Sequence, residues 1–414
     1  MYLDNGYHLT YCTNIHPGES WEEVFRTLQD YLPSLKKNLS PGKPFGIGLR
    51  LSDLSSRELL QDDRLAHFKV WLRDNDLYVY TMNGFPFGGF HQQVVKDAVH
   101  KPDWTTDERV AYTKRLAHIL AAILPEWMDG GISTSPLSYK PWHQHDSAAI
   151  ETMFRTSCLH LAEVVLELQH LQSETGKTIH IDIEPEPDGV LENTEEIISF
   201  YNDWLLPVGI EKLREVSGIS EEEAEEAIRT HIQLCYDVCH FALVYEEPAT
   251  TFAKLQEAGI RIGKIQLSAA LKVMLPASME ERQSIAEQLS AFAESTYLHQ
   301  VVERNEQNQL THYTDLPPAL KQIAKPEAKE WRTHFHVPLF THTYNGLQST
   351  QDAIKDVLEL LQHNPVTSHL EVETYTWEVL PEDMKKELHA SIQRELEWVL
   401  QTINSTKDAE NSRT

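Results

Sequence analysis

The segment at residues 179–187, IHIDIEPEP, alternates apolar and ionisable side chains. Three isoleucines alternate with His180, Asp182 and Glu184, and this period of two is typical of a β-strand. The prolines that follow cannot donate to a sheet, so they end the strand. One face is therefore apolar and the other ionisable, and we expect the ionisable face to look into a functional site.

Later segments repeat this arrangement, with an acid or an amide close to the end of each strand. Asp237, Gln266 and Glu373 stand near the ends of strands predicted at 232–238, 262–268 and 368–375. Such strand ends converge in one place only if the strands run parallel. The pattern therefore predicts a parallel sheet with polar side chains gathered at its carboxyl edge.

Eight predicted strands alternate with amphipathic helical segments along the chain. This alternation favours a (β/α)8 TIM barrel with its active site at the carboxyl ends of the strands. A doubly wound open sheet is the competing fold, but it requires a phosphate-binding glycine turn after the first strand, and IHPGE at 15–19 is a poor match. The five remaining strands are predicted at 9–16, 45–51, 77–83, 130–135 and 179–184.

The interval between the seventh and eighth predicted strands is unusually long. It predicts an insertion at about 270–345 that contains a helix and two short strands, at 298–303 and 310–313. We expect one barrel domain over residues 1–403, followed by a polar tail at 404–414.

Strand parity predicts which polar residues face the barrel interior. Asn14 and His16 in the first strand and Asn83 in the third are expected to bind substrate, together with Lys264 and the loop residue Trp142. The glycine-aromatic loop at 84–91, GFPFGGFH, is of a kind that folds over a ligand. Its phenylalanines either stack on a ring substrate or belong to the core, and the sequence leaves both open.

Four strand-end residues offer oxygen ligands for a divalent cation: Glu184, Asp237, Gln266 and Glu373. Burying these acids together without a cation is costly, because like charges in one site force protonation. The alternative is that they are solvated at the barrel mouth or paired with Lys264, Arg304 or Arg332.

Three histidines extend the candidate ligand set. His240 follows Asp237 by three residues and is a ligand, a substrate contact or a group that orients a ligand. His334 and His336 lie on the same face of an extended segment, which makes them a candidate ligand pair. The alternative for this pair is ordinary surface histidines.

The amino-acid composition argues against some partners and cellular locations. The formal net charge of −27 over 414 residues, with no Lys/Arg cluster, argues against a nucleic-acid partner. Four scattered cysteines without a secretion signal predict reduced thiols and a cytoplasmic location. No apolar run reaches the length of a membrane span.

The motif DVCH at 237–240, with Glu184, Gln266 and Glu373 on neighbouring strands, resembles the xylose-isomerase-like superfamily of TIM barrels. That superfamily includes sugar-phosphate isomerases, ketose 3-epimerases and AP endonuclease family 2. The resemblance implies a divalent metal (Mn, Mg, Zn or Fe), with Glu184 and Glu373 shuttling a proton on a sugar-like substrate.

The match to this superfamily has two local features that bear on the metal. Gln266 stands where the superfamily commonly has histidine, which favours Mn or Mg over Zn. The endonuclease-like members carry an Asp-x-His segment where this chain has HFH at 334–336, which leaves room for a second metal.

Over its whole length the chain resembles the bacterial metabolite traffic protein EboE family. The resemblance is carried by YCTNIHPG at 11–18, NGFPFG at 83–88 and HFHVP at 334–338. It implies a role in the processing or traffic of a secondary-metabolite precursor. It also implies a partner, a prenyltransferase-like membrane protein of the same gene cluster.

Three functional hypotheses follow. The first is a divalent-metal-dependent sugar isomerase or epimerase. The second is a metal-dependent phosphodiesterase or hydrolase that acts on a small molecule and uses His240, His334 and His336 in a multi-metal site. The third is a non-catalytic, metabolite-binding barrel that serves a membrane partner.

Overall fold

Eight parallel strands form the central barrel of the computed structural model, which describes residues 1–3, 6–89, 91, 94–143, 146–381 and 387–411. The strands are hydrogen-bonded in the order β1-β14-β7-β6-β5-β4-β3-β2. This arrangement confirms the predicted (β/α)8 barrel. The barrel strands are β1 (His8–Tyr11), β2 (Phe45–Arg50), β3 (Leu77–Asn83), β4 (Gly130–Thr134), β5 (Ile179–Ile183), β6 (Ile232–Asp237), β7 (Ile262–Leu267) and β14 (His369–Val372).

The barrel closes between β1 and β2 through a side chain as well as the backbone. A single parallel bridge joins Cys12 to Gly48. The Thr10 hydroxyl donates to the Gly46 carbonyl at 2.8 Å and accepts from the Gly48 amide at 3.2 Å. The Thr10 side chain therefore makes hydrogen bonds to β2 where backbone groups of neighbouring strands would otherwise pair.

Helices cover the outside of the barrel, and several begin at residues that the sequence marks as caps. Ser20 and Glu23 form a capping box at the start of α1, and Ser220 and Glu223 form another at the start of α8. The helices are α1 (Trp21–Leu39), α2 (Asp53–Leu59), α3 (Arg64–Asp74), α4 (Asp107–Ile123), α5 (Ser147–Thr175), α6 (Thr194–Phe200), α7 (Leu206–Ser217), α8 (Glu221–His231), α9 (Val238–Leu243), α10 (Pro248–Glu257), α11 (Met279–Ser290), α12 (Leu316–Leu320), α13 (Gln351–His363) and α14 (Leu388–Asn411).

The insertion between β7 and β14 folds into a second, antiparallel sheet with the order β10-β9-β11-β8-β13-β12. The sequence predicted two strands there, and both exist, although β9 starts three residues later than expected. Residues of the barrel and of the insertion belong to the same main hydrophobic core. The strands are β8 (Leu271–Met274), β9 (Val301–Asn305), β10 (Leu310–Tyr313), β11 (Ala328–Thr333), β12 (Thr343–Tyr344) and β13 (Leu347–Ser349).

The carboxyl-terminal segment is more helical than the sequence suggested. Helix α14 runs to Asn411, so residues 404–411 continue a helix instead of starting an irregular tail. The assignment of residues 1–403 to one domain stays a prediction. Within the described part of the chain, no helix is both long enough and apolar enough to span a lipid bilayer.

A layer of buried charged residues fills the barrel beneath the strand ends. We call it the lower layer and define it as Asp182, Lys264 and Glu371, each two residues before a strand-end residue, together with His180. Lys264 Nζ lies 2.5 Å from Glu371 Oε2, and His180 Nδ1 lies 2.6 Å from Asp182 Oδ1. Each acid therefore has a cationic partner within its own layer.

Glycines make room for these buried carboxylates. A Cβ on Gly131 or Gly263 would overlap the Asp182 carboxylate, and a Cβ on Gly48 would overlap that of Glu371. The glycine positions of β2, β4 and β7 are thus a requirement of the polar interior of the barrel.

Candidate metal centre

Three carboxylates meet at the carboxyl ends of β5, β6 and β14. One oxygen each from Glu184, Asp237 and Glu373 lies within 4.8 Å of the others, and all three side chains are buried. They project to one point because parallel barrel strands bring their carboxyl ends together. The described lysine and arginine side chains that the sequence offered as partners are engaged elsewhere: Lys264 with Glu371, and both Arg304 and Arg332 with Glu330.

Asp237 is oriented by the sharp turn from β6 into α9. Its Oδ1 caps that helix by accepting from the His240 amide at 3.1 Å, and it also accepts from Ser268 Oγ at 2.6 Å. Its Oδ2 is buried and has no hydrogen-bond partner. Burial alone would raise the pKa of Asp237, but His240, His336 and the Ser268 hydrogen bond outweigh burial and hold that pKa below its ordinary value.

Glu373 and Glu184 differ in how they are held. Glu373 Oε1 accepts from Asn14 Nδ2 at 2.8 Å and from Asn83 Nδ2 at 3.0 Å, whereas Glu184 Oε2 has no partner. Burial, followed by the neighbouring acids, raises the pKa of both carboxyls well above the ordinary value. Without a cation, these groups are driven toward the protonated form.

Three histidines stand beside the carboxylates with the same orientation. Each Nδ1 faces an oxygen acceptor: His240 the Pro185 carbonyl at 2.9 Å, His334 the Gln300 side-chain oxygen at 2.9 Å, and His336 the Glu373 carbonyl at 3.0 Å. The Gln300 amide is oriented by its own donation to the Pro187 carbonyl. Because each Nδ1 must donate, each Nε2 of the neutral ring carries a lone pair, as metal-binding histidines require.

The Nε2 atoms of these histidines have no proton available for a hydrogen bond between the rings. His240 Nε2 lies 3.1 Å from His334 Nε2, and His336 Nε2 is buried without a partner. Burial lowers the pKa of all three rings, that of His336 to about 4, so they are neutral near pH 7. Two facing acceptors repel each other, and a cation between or beside them removes that repulsion. The donor set therefore fits a divalent metal.

The histidines and carboxylates form overlapping ligand groups. A carboxylate oxygen of Asp237 lies within 4.8 Å of a ring nitrogen of His240 and of His336. In a second group it lies within 4.8 Å of a carboxylate oxygen of Glu184 and of Glu373. Glu186 joins His240 and His334 in a further group, and Cys239 joins His334 and His336. A shared Asp237 between an all-carboxylate group and a histidine-rich group is an arrangement that can hold more than one ion.

Two residues of this region were missed by sequence reasoning. Glu186 lies beyond the last residue of β5, and His100 belongs to a short 3₁₀ helix after β3; His100 Nε2 is 3.0 Å from Glu186 Oε1. The proline on each side of Glu186 removes the strand periodicity that would have indicated its direction. The EPEP sequence was the available signal.

Gln266 uses its ligand oxygen for another bond. Oε1 accepts from Cys235 Sγ at 2.6 Å, which leaves the buried amide nitrogen without a partner. An amide nitrogen is not a metal ligand, so Gln266 as oriented here does not extend the donor set. The role of Gln266 as a metal ligand stays a prediction.

A cavity of about 70 Å³ opens above the carboxylates, with room for about five water molecules. Asn14, Asn83, Glu184 and Glu373 lie in its floor, and His240 and His334 line one side. Phe85 of the glycine-aromatic loop also lines it. Phe87 instead packs on Tyr112, and Phe90 lies outside the described residues.

Three expected substrate contacts lie away from this cavity. His16 packs against Tyr31 and bonds to the Tyr11 hydroxyl, because the chain turns into a 3₁₀ helix at Thr13–Ile15. Trp142 donates to Asp97 and lines a separate surface depression. Lys264 lies in the lower layer. The structure therefore brings Asn14 and Asn83 to the cavity and places His16, Trp142 and Lys264 elsewhere, so substrate binding by these three residues stays a prediction.

A TIM barrel with carboxylates and histidines buried at the carboxyl ends of its strands defines the class of this protein. No protein-family model matches the sequence, and no curated protein matches it. Among solved structures, a xylose isomerase-like TIM barrel protein from Mycobacterium smegmatis, in complex with magnesium, has a TM-score of 0.52 at 10% identity; the match covers 98% of this chain and 99% of that one.

Two further solved structures are similar over nearly their full lengths. A D-tagatose 3-epimerase-like protein has a TM-score of 0.48 at 11% identity, covering 96% of this chain and 98% of that one. The IOLI protein with a bound zinc atom has a TM-score of 0.46 at 11% identity, covering 96% and 99%. At this identity the likeness shows the fold. The resemblance to the EboE family stays a prediction.

Proposed function

We propose that this protein is a divalent-metal-dependent isomerase or epimerase that acts on a small hydroxy-carbonyl compound. The observation that carries the proposal is the pair formed by Glu184 and Glu373. Both carboxyls line the cavity, both flank Asp237, and both have a raised pKa. Two such carboxyls are what a proton transfer from one carbon to another requires.

The metal ligands in this proposal come from overlapping groups: Asp237 with His240 and His336, Asp237 with Glu184 and Glu373, and His240 and His334 with Glu186. A bound divalent cation would supply charge stabilisation for the substrate oxygens. The residues of the protein carry out the proton transfer. Because every ligating histidine is held by a hydrogen bond at Nδ1, the donor geometry is in place before any ligand arrives.

The proton transfer uses the two glutamates in turn. One carboxylate removes the proton from the carbon next to the carbonyl, and the electron pair moves to the carbonyl oxygen. The other glutamic acid returns a proton to the opposite face of that carbon, which gives the epimer. Alternatively it protonates the former carbonyl carbon while the hydroxyl proton of the substrate moves to the former carbonyl oxygen, which gives the isomer. Asn14 and Asn83 hold Glu373 in one position during the exchange.

A specific observation favours a second candidate. The facing Nε2 atoms of His240 and His334, with Asp237 shared between two ligand groups, suit a site with two ions. Such sites hydrolyse phosphate and other esters of small molecules by stabilising the attacking and leaving oxygens. The two candidates differ in metal stoichiometry and in the bond that is broken.

Metal content and proton exchange test the proposal together. Metal per chain is measured by mass spectrometry on protein purified without chelator, for the wild type, Glu184→Gln/Glu373→Gln and His334→Ala/His336→Ala. The wild type is then incubated with ketoses and polyol-derived ketones in D₂O. We expect bound metal that the histidine variant loses, and deuterium incorporation next to the carbonyl that the glutamate variant loses.

Other results reject the proposal. Absence of any divalent ion in the wild type would leave no metal-dependent reaction. Two ions per chain with hydrolysis of a phosphodiester, and no deuterium incorporation, would favour the hydrolase. Ligand binding that survives in Glu184→Gln/Glu373→Gln, with no turnover in the wild type, would favour a non-catalytic carrier.

The cellular role that we propose is the processing or traffic of a secondary-metabolite precursor in the cytoplasm, alongside a prenyltransferase-like membrane protein. The support for this part is the sequence resemblance to the EboE family. Co-purification of the tagged chain with that membrane protein in mild detergent tests it. Recovery of the chain alone, under conditions where the membrane protein is expressed and solubilised, would contradict the partnership.

A further inference from the structure

Part of the cavity lining is apolar. We call it the apolar wall and define it as Phe85, Pro86, Val99, Tyr297, Leu298 and Tyr375. None of these residues belongs to a barrel strand. They come from the loop after β3, from the segment before β9 and from the turn after β14.

The apolar wall is a packed structure of its own. Val95 and Tyr297 form a hydrophobic cluster separate from the main core, with Val99 and Tyr375 packed against it. The rings of Tyr297 and Tyr375 meet edge to face, with centroids 5.2 Å apart. A small hydrophobic cluster that lines a cavity over a polar floor is a surface for the apolar part of a ligand.

Backbone and ionic contacts hold the wall in place. The amides of Val95 and Lys96 both donate to the Thr296 carbonyl, at 2.8 and 3.0 Å, which ties the loop after β3 to the insertion. Lys96 Nζ lies 2.8 Å from Asp315 Oδ2. The wall also reaches the candidate metal centre, since the Tyr375 ring lies 4.7 Å from the His336 ring.

The same cavity offers little to an anionic group. Among the described residues that line it, Lys96 is the only lysine or arginine, and its charge is engaged by Asp315. Three acids, Glu184, Glu186 and Glu373, line the cavity as well. A phosphate dianion bound here would face these carboxylates, and among the described lining residues no arginine and no unengaged lysine would balance its charge.

We propose that the substrate is an unphosphorylated hydroxy-carbonyl compound that carries an apolar group, a ring or a branched chain, which rests on the apolar wall. This inference rests on the proposed function, because the hydroxy-carbonyl part is placed over Glu184 and Glu373. The apolar part then determines specificity through Phe85, Tyr297 and Tyr375. A bare sugar or a sugar phosphate would leave that wall unused.

Three hydroxamates that share one chelating group test the inference. Acetohydroxamate, benzohydroxamate and phosphoglycolohydroxamate all offer the same two oxygens to a metal and differ in a methyl, a phenyl or a phosphate tail. They are titrated into the full-length chain loaded with Co²⁺, whose visible spectrum reports chelation. We expect benzohydroxamate to bind at least about tenfold more tightly than acetohydroxamate, and phosphoglycolohydroxamate to bind no more tightly than acetohydroxamate.

Variants of the apolar wall test whether it causes the preference for benzohydroxamate over acetohydroxamate. Tyr297→Ala and Phe85→Ala should each reduce the benzohydroxamate preference at least threefold, with acetohydroxamate affinity unchanged. Tyr297→Phe is the matched control and should keep the preference. Uptake of Co²⁺ with an unchanged spectrum shows that each variant is folded around the metal.

The outcomes separate this inference from the function on which it rests. If no hydroxamate alters the Co²⁺ spectrum, or if Co²⁺ does not bind, the metal-centre proposal fails. If all three bind equally, or if the phosphate compound binds most tightly, the metal centre stands and the apolar-substrate inference is overturned. A preference for phenyl that survives in both alanine variants would also overturn it.

Discussion

His240 and His334 face each other with their Nε2 atoms 3.1 Å apart, while each Nδ1 is turned to an oxygen acceptor. Neutral imidazoles in this state have no proton to place between the two nitrogens. Protonating either ring would create the hydrogen bond, but burial disfavours the charged ring. The pair is therefore stable when a cation supplies the missing positive charge.

This relationship predicts the effect of removing one ring. Loss of a residue that only hydrogen-bonds to a metal ligand weakens metal binding by about 10- to 100-fold. Because His334 is expected to bind the metal directly, His334→Ala should weaken Co²⁺ or Zn²⁺ binding by more than this. Competition with a chromophoric chelator measures the affinity. His118→Ala, on the exposed side of α4, is the control and should bind as the wild type does. Equal affinities in the two variants would remove His334 from the donor set.

The raised pKa values of Glu184 and Glu373 predict how the stability of the metal-free protein depends on pH. Between the ordinary value of 4.5 and their raised values, the folded state binds more protons than the unfolded state, so stability falls as the pH rises. His240, His334 and His336 have lowered pKa values and affect this balance only below about pH 6.5. Above pH 7 these three histidines no longer contribute.

Thermal melts at pH 7.0 to 8.5 measure the effect of the two carboxyls. The Tm of the chelator-treated protein should fall by several degrees over this range, and Glu184→Gln/Glu373→Gln should show a smaller fall. His180 contributes a fall that both proteins share, because Asp182 and Asp129 outweigh burial and raise its pKa to about 10. Added metal should flatten the profile of the wild type. Burial lowers the pKa of the Met1 amino group to about 4, which adds a rise with pH that both proteins also share. A fall in Glu184→Gln/Glu373→Gln as large as that of the wild type would contradict the assignment.

The close packing around Asp182 predicts that one added methyl group greatly lowers the free energy of unfolding. In Gly263→Ala the new Cβ would overlap the Asp182 carboxylate, which is held by His180 inside the barrel. We expect a loss of about 1–3 kcal/mol or more in the free energy of unfolding, measured by urea denaturation. Gly88→Ala meets no atom within 4 Å and should stay within about 0.5 kcal/mol of the wild type.

The closure of the barrel depends on the Thr10 hydroxyl. Thr10→Val keeps the shape but removes the acceptor of the Gly48 amide, so we expect a loss of about 1–3 kcal/mol. Thr10→Ser keeps the hydroxyl and should cost about 0.8 kcal/mol, the value of one buried methylene. Urea denaturation of the two variants compares them directly. A Thr10→Val variant as stable as the wild type would mean that the hydroxyl contributes nothing to closure.

The barrel itself was predictable because its strands are buried on both faces and keep a strict period of two. The first strand shows the limit of that method. Parity was extended over 9–16, but β1 ends at Tyr11, and the 3₁₀ helix that follows reverses the side on which His16 lies. Asn14 kept its place in the cavity floor, since it lies within that helix and bonds to Glu373.

The candidate site was predictable where it depended on strand ends and not where it depended on the insertion. Glu184, Asp237 and Glu373 follow apolar strands, so their convergence follows from the barrel geometry. The pairing of His100 with Glu186 depends on a loop and a proline-rich turn that carry no periodic signal. Four strands of the insertion were missed, β8, β11, β12 and β13, and three of these are only two to four residues long.

The lower layer bears on when a metal ion could bind at the candidate metal centre. Because Lys264 lies beside Glu371 and His180 lies beside Asp182, each of these buried acids has a cationic partner without an ion. We therefore expect the chain to fold before any cation binds. Metal binding would then be a step separate from folding and open to exchange, so that the ion found in the purified protein would reflect the supply of metals in the cell that made it.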